Sequence, residues 1–104
     1  MFYSIPHIDY QVEQRRAAKH RNRARRMGRN GNLTLGQWMW LLIAYRFRCA
    51  YCGEPYETMD RILPLCNGGH MTKENVVPAC DRCNQNKGTA VWLPARAGEG
   101  CYGH

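Results

Sequence analysis

Two pairs of cysteines constrain this 104-residue chain more than any other feature of its sequence. Cys49 and Cys52 form one C-x-x-C pair, and Cys80 and Cys83 form a second pair that is separated from the first by 27 residues. This is the spacing of a four-cysteine zinc site. A chain of this length buries only a marginal core, so a bound metal adds needed stability. We therefore expect a structural zinc ion on these four cysteines, with the other two cysteines free.

The alternative is a disulfide framework, which is typical of small secreted proteins. The first residues, "MFYSIPHIDY", have neither the basic region nor the apolar run of a signal peptide. The longest apolar stretch, "WMWLLIAY", is eight residues and is too short to span a bilayer. These features predict a cytoplasmic protein with reduced cysteines and no membrane partner.

Positive charge is concentrated in the first half of the chain. Residues 1–48 contain ten Lys and Arg against two acids, whereas residues 49–104 contain five against six. At 100° per residue, five basic side chains of the run "RRAAKHRNRARRMGR" share one arc of a helix, with Arg21 and Arg25 outside it. The five are Arg15, Arg16, Lys19, Arg23 and Arg26.

A basic helix of this kind is typical of nucleic-acid binding, because its side chains neutralise phosphates and release counterions. Two alternatives are a solvated basic tail and a membrane-surface helix. The second would carry large apolar residues on its other face, where this stretch has Ala17 and Ala24. We expect the five basic residues of the arc to contact DNA.

Turn residues divide the first half into two helices. The first runs from about Gln11 to Met27 and ends at the cluster "GRNGN". Thr34 begins the second, with Gln37 completing a capping box. A buried stripe is expected on the second helix, formed by Leu35, Trp38, Leu42 and Tyr45.

The second half reads as a turn, a strand, a loop and a short helix. Gly53 allows a sharp turn after the first cysteine pair, and "TMDRILPL" predicts a strand that ends at Pro64. The loop "CNGGHMTKEN" contains two glycines that are free to adopt unusual backbone angles. A short helix is predicted from about Pro78 to Gly88, and Trp92 and Leu93 are expected to pack on the core.

We expect one domain over 1–104, with a basic helix at about 10–30, a core at about 34–90 and a tail at 91–104. Three segments in order, "WMWLLIAYRFRCAYCG", "MDRILPLCNGG" and "ENVVPACDRCNQNKG", resemble the zinc-containing branch of the His-Asn-His (HNH) nuclease superfamily of phages and bacteria. The resemblance covers roughly residues 34–88. It implies an α+β protein with the ββα-metal fold, the four-cysteine zinc site and a preceding basic helix, in the cytoplasm of a bacterium or a phage-infected cell.

The same resemblance implies roles for single residues. Asp60 matches the family aspartate that binds the catalytic divalent ion, and Asn84 matches the last motif position, which supplies a second ligand. So few oxygen ligands suit Mg²⁺ or another hard divalent cation. Asn75 matches the middle asparagine, which ties down the loop and orients the base, and Lys87 falls where it could meet a phosphate. The alternative is that Asp60 and Asn84 only cap local structure.

Arg61 stands where the family has its first histidine, the general base. A guanidinium stays protonated and offers only donors, so it cannot take a proton from water. Because other members of this branch carry Asp-Arg-Ile here, the arginine is expected to be inherited, with a metal-activated water or another residue replacing the base. His70 is the nearest histidine in sequence, although it also fits an exposed loop residue. The third alternative is that the chain has kept the fold and DNA binding but no longer cuts DNA, and that Arg61 contacts a phosphate.

The sequence therefore predicts a metal-dependent DNA endonuclease that grips DNA through its basic helix. One alternative is a DNA-binding module that has the same fold and no activity, and a weaker one is a zinc-ribbon adaptor for protein interactions. The sequence leaves open a homodimer and partners in phage packaging or recombination.

Overall fold

The computed structural model describes residues 8–94, so the predicted tail beyond Pro94, with Cys101, lies outside the described residues. The described part is an α+β arrangement, as predicted, of three helices and a two-stranded sheet. The elements are α1 (Tyr10–Arg26), α2 (Leu35–Ala44), β1 (Thr58–Arg61), a 3₁₀ turn (Leu65–Asn67), β2 (Val76–Ala79) and α3 (Asp81–Lys87). Within residues 8–94 no helix is both long and apolar enough to cross a membrane.

Helix α1 begins and ends within one residue of its predicted bounds. Asp9 caps its first turn, because the carboxylate accepts hydrogen bonds from the backbone N–H groups of Gln11 and Val12. Gly28 follows the helix with a φ of +75°, which favours glycine. Ala17 and Ala24, on the face opposite the basic arc, are fully buried, so the helix packs these small side chains inward.

Helix α2 has the predicted capping box. The hydroxyl of Thr34 accepts from the backbone N–H of Gln37, and the Gln37 side chain accepts from the N–H of Thr34, both at 3.0 Å. Two residues of the predicted stripe, Trp38 and Leu42, are fully buried, whereas Leu35 and Tyr45 are half-buried. The apolar face of α2 therefore packs on the core as expected.

A buried carboxylate joins α1 to the rest of the molecule. Glu13 accepts hydrogen bonds from Trp38 Nε1 at 2.8 Å and from the Tyr56 hydroxyl at 3.0 Å. Arg16 forms an ion pair with the same carboxylate at 3.3 Å. Because both carboxylate oxygens have donors, the charge of Glu13 is compensated inside the core.

The sheet corrects two predicted bounds. Strand β1 ends at Arg61 instead of Pro64, and Pro78 lies in β2 instead of the short helix, which begins at Asp81. All four residues of β2 are buried. A strand that is buried on both faces lacks the apolar–polar alternation that identifies strands in a sequence. For this reason the sequence analysis did not locate β2.

The antiparallel register places neighbouring residues of the sheet on opposite faces. Met59 of β1 and Val76 of β2 belong to the cluster that includes the buried residues of α1 and α2. Val77 and Ala79 belong to a second cluster, which includes the four cysteines. Side chains of β1 therefore alternate between the α1 side and the cysteine side of the sheet.

The turn that carries the first cysteine pair packs against β2. Gly53 has a φ of +82°, in agreement with the predicted sharp turn, and the backbone N–H of Ala50 donates to the Pro78 carbonyl at 2.9 Å. Trp92 packs edge-on against Tyr51, with ring centroids 5.5 Å apart. Leu93 is 83% exposed, so its predicted packing on the core is wrong, because residues 91–94 alternate between exposed and half-buried positions and Leu93 takes an exposed one.

The two glycines of the loop after β1 have different functions. Gly68 has a φ of +95°, as the sequence suggested. Gly69 does not have a positive φ, and it is required for space: a Cβ there would collide with the carbonyl of Leu63 and lie 2.9 Å from the Asn75 side-chain amide. This close approach holds the loop against the end of β1.

We expect Glu13→Ala to lower the free energy of unfolding by about 2–4 kcal/mol, because it leaves the buried indole N–H of Trp38 and the hydroxyl of Tyr56 without an acceptor. Urea unfolding followed by tryptophan fluorescence measures this loss. Gln14→Ala, at the next and exposed position of α1, is the matched control and should change stability little. Equal stabilities of the two variants would contradict the structural role of Glu13.

Candidate functional site

The four paired cysteines converge in the folded chain. Their sulfur atoms all lie within 4.8 Å of one another, and Cys52 Sγ is 3.7 Å from Cys80 Sγ. A tetrahedral zinc ion with Zn–S bonds of about 2.3 Å separates its sulfurs by about 3.8 Å. The cluster therefore has the donor type and spacing that can hold a metal ion such as zinc.

Backbone groups and burial complete the cysteine cluster. The N–H groups of Tyr51 and Cys83 point to the sulfurs of Cys49 and Cys80, each at 3.4 Å. Burial raises the pKa of the Cys49 and Cys83 thiols, so a bound cation is needed to keep them as thiolates. The described cysteines are all free of disulfides. This donor set fits a structural metal, and the disulfide alternative does not apply to these residues.

Asp60 lies on the cysteine side of the sheet and is only 6% exposed. Its Oδ2 accepts from the Tyr51 hydroxyl at 2.7 Å and is 3.4 Å from Lys87 Nζ. Burial and this hydrogen bond raise the pKa of Tyr51, so the hydroxyl stays protonated and donates a hydrogen bond to the carboxylate. The first cysteine pair and α3 thus hold the carboxylate from two directions.

The position of Lys87 differs from the DNA contact that the sequence predicted for it. The side chain is buried, at 3% exposure for the residue, and its Nζ donates to the Arg61 carbonyl at 2.8 Å in addition to pairing with Asp60. An ammonium in these contacts compensates a buried carboxylate and does not reach a phosphate at the surface. The sequence placed the charge correctly on α3 but could not show that it faces inward.

Asn84 lies on α3, three residues before Lys87 and therefore on the same side of the helix. It is half-buried, and in the described part of the chain its side-chain amide has no hydrogen-bond partner. An amide oxygen in this state is available as a ligand for a hard cation.

Asn75 holds the loop between the strands. Its Oδ1 accepts from the backbone N–H of Leu63 at 2.8 Å, and its Nδ2 donates to the carbonyls of Leu63 and His70 at 2.9 and 2.8 Å. These bonds use both N–H groups and the oxygen of the side-chain amide, so Asn75 fastens the loop to the end of β1.

Arg61, at the last position of β1, lies on the α1 side of the sheet. Its Nη1 is 2.7 Å from Nδ1 of His20, a residue of α1 that the sequence analysis missed. The Nε atom of Arg61 is buried and has no hydrogen-bond partner. His20 is 41 positions away from Arg61 in the sequence. It could have been suspected only from its position on the Ala17–Ala24 face of the helix.

His20 is held neutral at physiological pH. Its pKa is lowered to about 4 by burial first and then by the positive charges of Arg61, Arg16, Lys19 and Arg23. The imidazole is therefore able to accept a hydrogen bond from Arg61, which has only donors. Four cations around one imidazole also show that the basic face of α1 borders the Arg61 side of the sheet.

His70, the histidine that the sequence analysis considered as a base, is exposed. Its Nδ1 accepts from the backbone N–H of Asn30 at 3.0 Å, which joins the loop to the segment after α1. Within residues 8–94, no hydrogen bond connects it to Asp60, Arg61 or Asn84. Its observed contacts are those of a loop residue.

The basic residues of α1 and the turn after it form two groups. The side chains of Arg15, Lys19, Arg23 and Arg26 are exposed. Arg16 pairs with Glu13, and three others donate to backbone carbonyls: Arg21 to Leu33, Arg25 to Gly31 and Arg29 to Leu65. Arg21 and Arg25, the two that lay outside the predicted arc, fasten the segment after α1. The exposed four are the ones free to meet a ligand.

An antiparallel strand pair followed by a helix, with a four-thiol cluster between them and a buried aspartate on the first strand, defines a ββα-metal domain. Residues 49–97 match the family model described as HNH endonuclease. This segment of the chain belongs to that superfamily, as the sequence motifs indicated.

One curated relative is the CRISPR-associated endonuclease Cas9 of Corynebacterium diphtheriae. It is 43% identical to this chain over an alignment of 61 residues, which covers 51% of the chain and 6% of that protein. The chain thus corresponds to a small part of that larger endonuclease. The segment of α1 lies outside the family match.

Proposed function

We propose that this protein is an endonuclease of the HNH type that hydrolyses phosphodiester bonds of DNA with a divalent cation. The match of residues 49–97 to the HNH endonuclease family carries the proposal. The buried carboxylate of Asp60 and the unpartnered amide of Asn84 support it, since both are oxygen ligands at the motif positions. Mg²⁺ or a similar cation suits such ligands.

Asp60 and Asn84 would hold the catalytic cation, which polarises the phosphate and stabilises the leaving oxygen when bound. Tyr51 and Lys87 orient the Asp60 carboxylate through Oδ2. Asn75 keeps the loop after β1 in place. Arg61 cannot accept a proton, so its part is to bind the scissile phosphate with its planar set of donors.

We further propose that the exposed stripe of α1, namely Arg15, Lys19, Arg23 and Arg26, binds the DNA backbone. The surroundings of His20 support this arrangement: its pKa is lowered first by burial and then by the charges of Arg61 and of Arg16, Lys19 and Arg23 on α1. DNA held on the stripe would pass the end of β1, where Asp60 and Arg61 follow one another. Favourable phosphate contacts at this edge would add affinity by counterion release.

A second candidate function is a DNA-binding module that does not cut. The presence of Arg61 at the position of the motif base favours it, because loss of a positioned base costs about 10²–10⁴-fold in rate. Both candidates share the fold and the basic helix. They differ in whether Asp60 and Asn84 support metal-dependent hydrolysis.

Nicking of supercoiled plasmid in Mg²⁺, Mn²⁺ or Ni²⁺ tests the endonuclease. We expect Asp60→Ala to lower the rate by at least about 10²-fold, because it removes a ligand of the catalytic cation. Glu74→Ala, which removes an exposed carboxylate of the loop before β2, is the control and should cut normally. Salt-dependent binding of DNA without nicking in any of these metals would leave the binding module as the function.

Metal analysis of the purified protein should find one zinc per chain. We expect Cys80→Ser to release the zinc and unfold the domain, because metal binding in so small a core contributes directly to folding. Cys66→Ser replaces an exposed cysteine outside the cluster and should retain both zinc and fold. Zinc that survives Cys80→Ser, or its absence from the wild-type protein, would contradict the structural site.

The phosphate contacts of α1 are tested by salt-dependent DNA binding. The quadruple alanine variant of Arg15, Lys19, Arg23 and Arg26 should bind all sequences more weakly. The slope of log K against log salt should flatten by roughly one unit per lost contact. A second comparison separates local contacts from net charge. The double variant Arg23→Ala/Arg26→Ala is compared with the double variant Arg46→Ala/Lys73→Ala, which removes the same charge from exposed positions elsewhere. Equal losses of DNA affinity in the two double variants would show that the stripe is a solvated surface.

A further inference from the structure

In the described part of the chain, His20 is the histidine whose side chain hydrogen-bonds a motif residue; it is half-buried and comes from outside the family match. Its contact is with Arg61, the residue that departs from the motif. The pair therefore joins α1 to the site where the family has its base.

The hydrogen bond between the two residues has a defined direction. Arg61 has only N–H donors, so its Nη1 donates and Nδ1 of His20 accepts, over 2.7 Å. A neutral imidazole that accepts at Nδ1 carries its hydrogen on Nε2. In this arrangement neither ring nitrogen is free to take a proton from water, so the imidazole does not replace the missing base.

The spacing of α1 explains why His20 reaches Arg61. Ala17 and Ala24 lie about one turn on either side of His20, and both are fully buried. These small side chains lie in the core cluster that also contains Met59 of β1, and the longer imidazole between them reaches Arg61 at the end of the strand. The alternation of β1 directs Arg61 to this same side.

One hydrogen bond sets the orientation of the Arg61 guanidinium. The group has five N–H donors; Nη1 contacts His20, and the buried Nε has no partner in residues 8–94. A buried donor without a partner costs free energy. The hydrogen bond to His20 therefore holds the guanidinium in place. The other N–H groups of Arg61 do not fix its orientation, and they remain available to donate to a ligand.

We propose that His20 is a positioning residue of the active site, whose Nδ1 holds Arg61 Nη1 and so directs the remaining donors of the guanidinium to the scissile phosphate of DNA. The inference rests on the proposed function and deepens it. Helix α1 then has two functions, with its outer face binding the DNA backbone and its inner face orienting Arg61. The lowered pKa of His20 agrees with this role, because only the neutral ring can accept from Arg61.

The variants His20→Ala and His20→Asn separate positioning from other roles. Asparagine can present its Oδ1 near the place of Nδ1 and still accept from Arg61, whereas alanine cannot. We expect His20→Ala to lower the nicking rate about 10- to 100-fold, the scale that loss of orientation produces. His20→Asn should remain within a few-fold of wild type. Asn22→Ala, on the exposed side of α1, is the control for changes in this helix.

A double-mutant cycle tests whether His20 acts through Arg61. Arg61→Ala should lose about as much rate as His20→Ala, and the double variant should lose no more. If His20→Asn is as slow as His20→Ala and the losses with Arg61→Ala multiply, the imidazole acts by itself and the proposal is overturned. Wild-type rates in both His20 variants would also overturn it. Zinc content and thermal unfolding of each variant show whether it is folded.

Two measurements do not require cleavage, so they distinguish failure of this inference from failure of the proposed function. In NMR spectra of protein with ¹⁵N-labelled histidine, the wild-type His20 should be the neutral form with hydrogen on Nε2. A proton on Nδ1 at neutral pH would overturn the pairing. Without added divalent ion, affinity for a DNA duplex should fall in His20→Ala and Arg61→Ala alike, but not in His20→Asn. Unchanged affinity in His20→Ala and Arg61→Ala would exclude the phosphate contact even in a protein that never cuts.

Discussion

The convergence of four thiols is the constraint on which the rest of the site depends. It joins the turn at Cys49–Cys52 to the start of α3, and the two strands lie between these segments in the chain. Tyr51, inside the turn, donates to Asp60, and Lys87, at the end of α3, pairs with the same carboxylate oxygen. A structural metal at the cysteines would therefore also fix the position of the carboxylate, although it takes no part in the chemistry.

The alternation of β1 sends two adjacent motif residues in opposite directions. Asp60 faces the cysteines and α3, where a buried ammonium and a phenol compensate its charge. Arg61 faces α1, where the neutral imidazole of His20 accepts a hydrogen bond from its guanidinium. The guanidinium and the carboxylate are neighbours in sequence, and yet each has its own set of partners. Arg61 can thus be replaced or repositioned without removing the contacts that hold Asp60.

Helix α1 is more closely integrated than a basic arm would be. Glu13, Ala17, His20 and Ala24 follow one another along its inner face, and Glu13 binds Trp38 and Tyr56 in the core. Three of its seven lysine and arginine side chains make internal contacts, with Arg16 on Glu13 and with Arg21 and Arg25 on backbone carbonyls. The exposed remainder forms the narrower surface that we propose for DNA.

The sequence by itself determined the cysteine cluster, the two long helices with the Thr34 cap, and the motif positions of Asp60, Asn75 and Asn84, because these depend on local spacing and residue chemistry. It did not locate β2, since a strand buried on both faces has no alternation to detect. It also did not show that Lys87 turns inward or that His20 meets Arg61. Those contacts join residues 27 and 41 positions apart, and only the packing of α3 and α1 against the short sheet brings them together, because no local pattern encodes a distant partner.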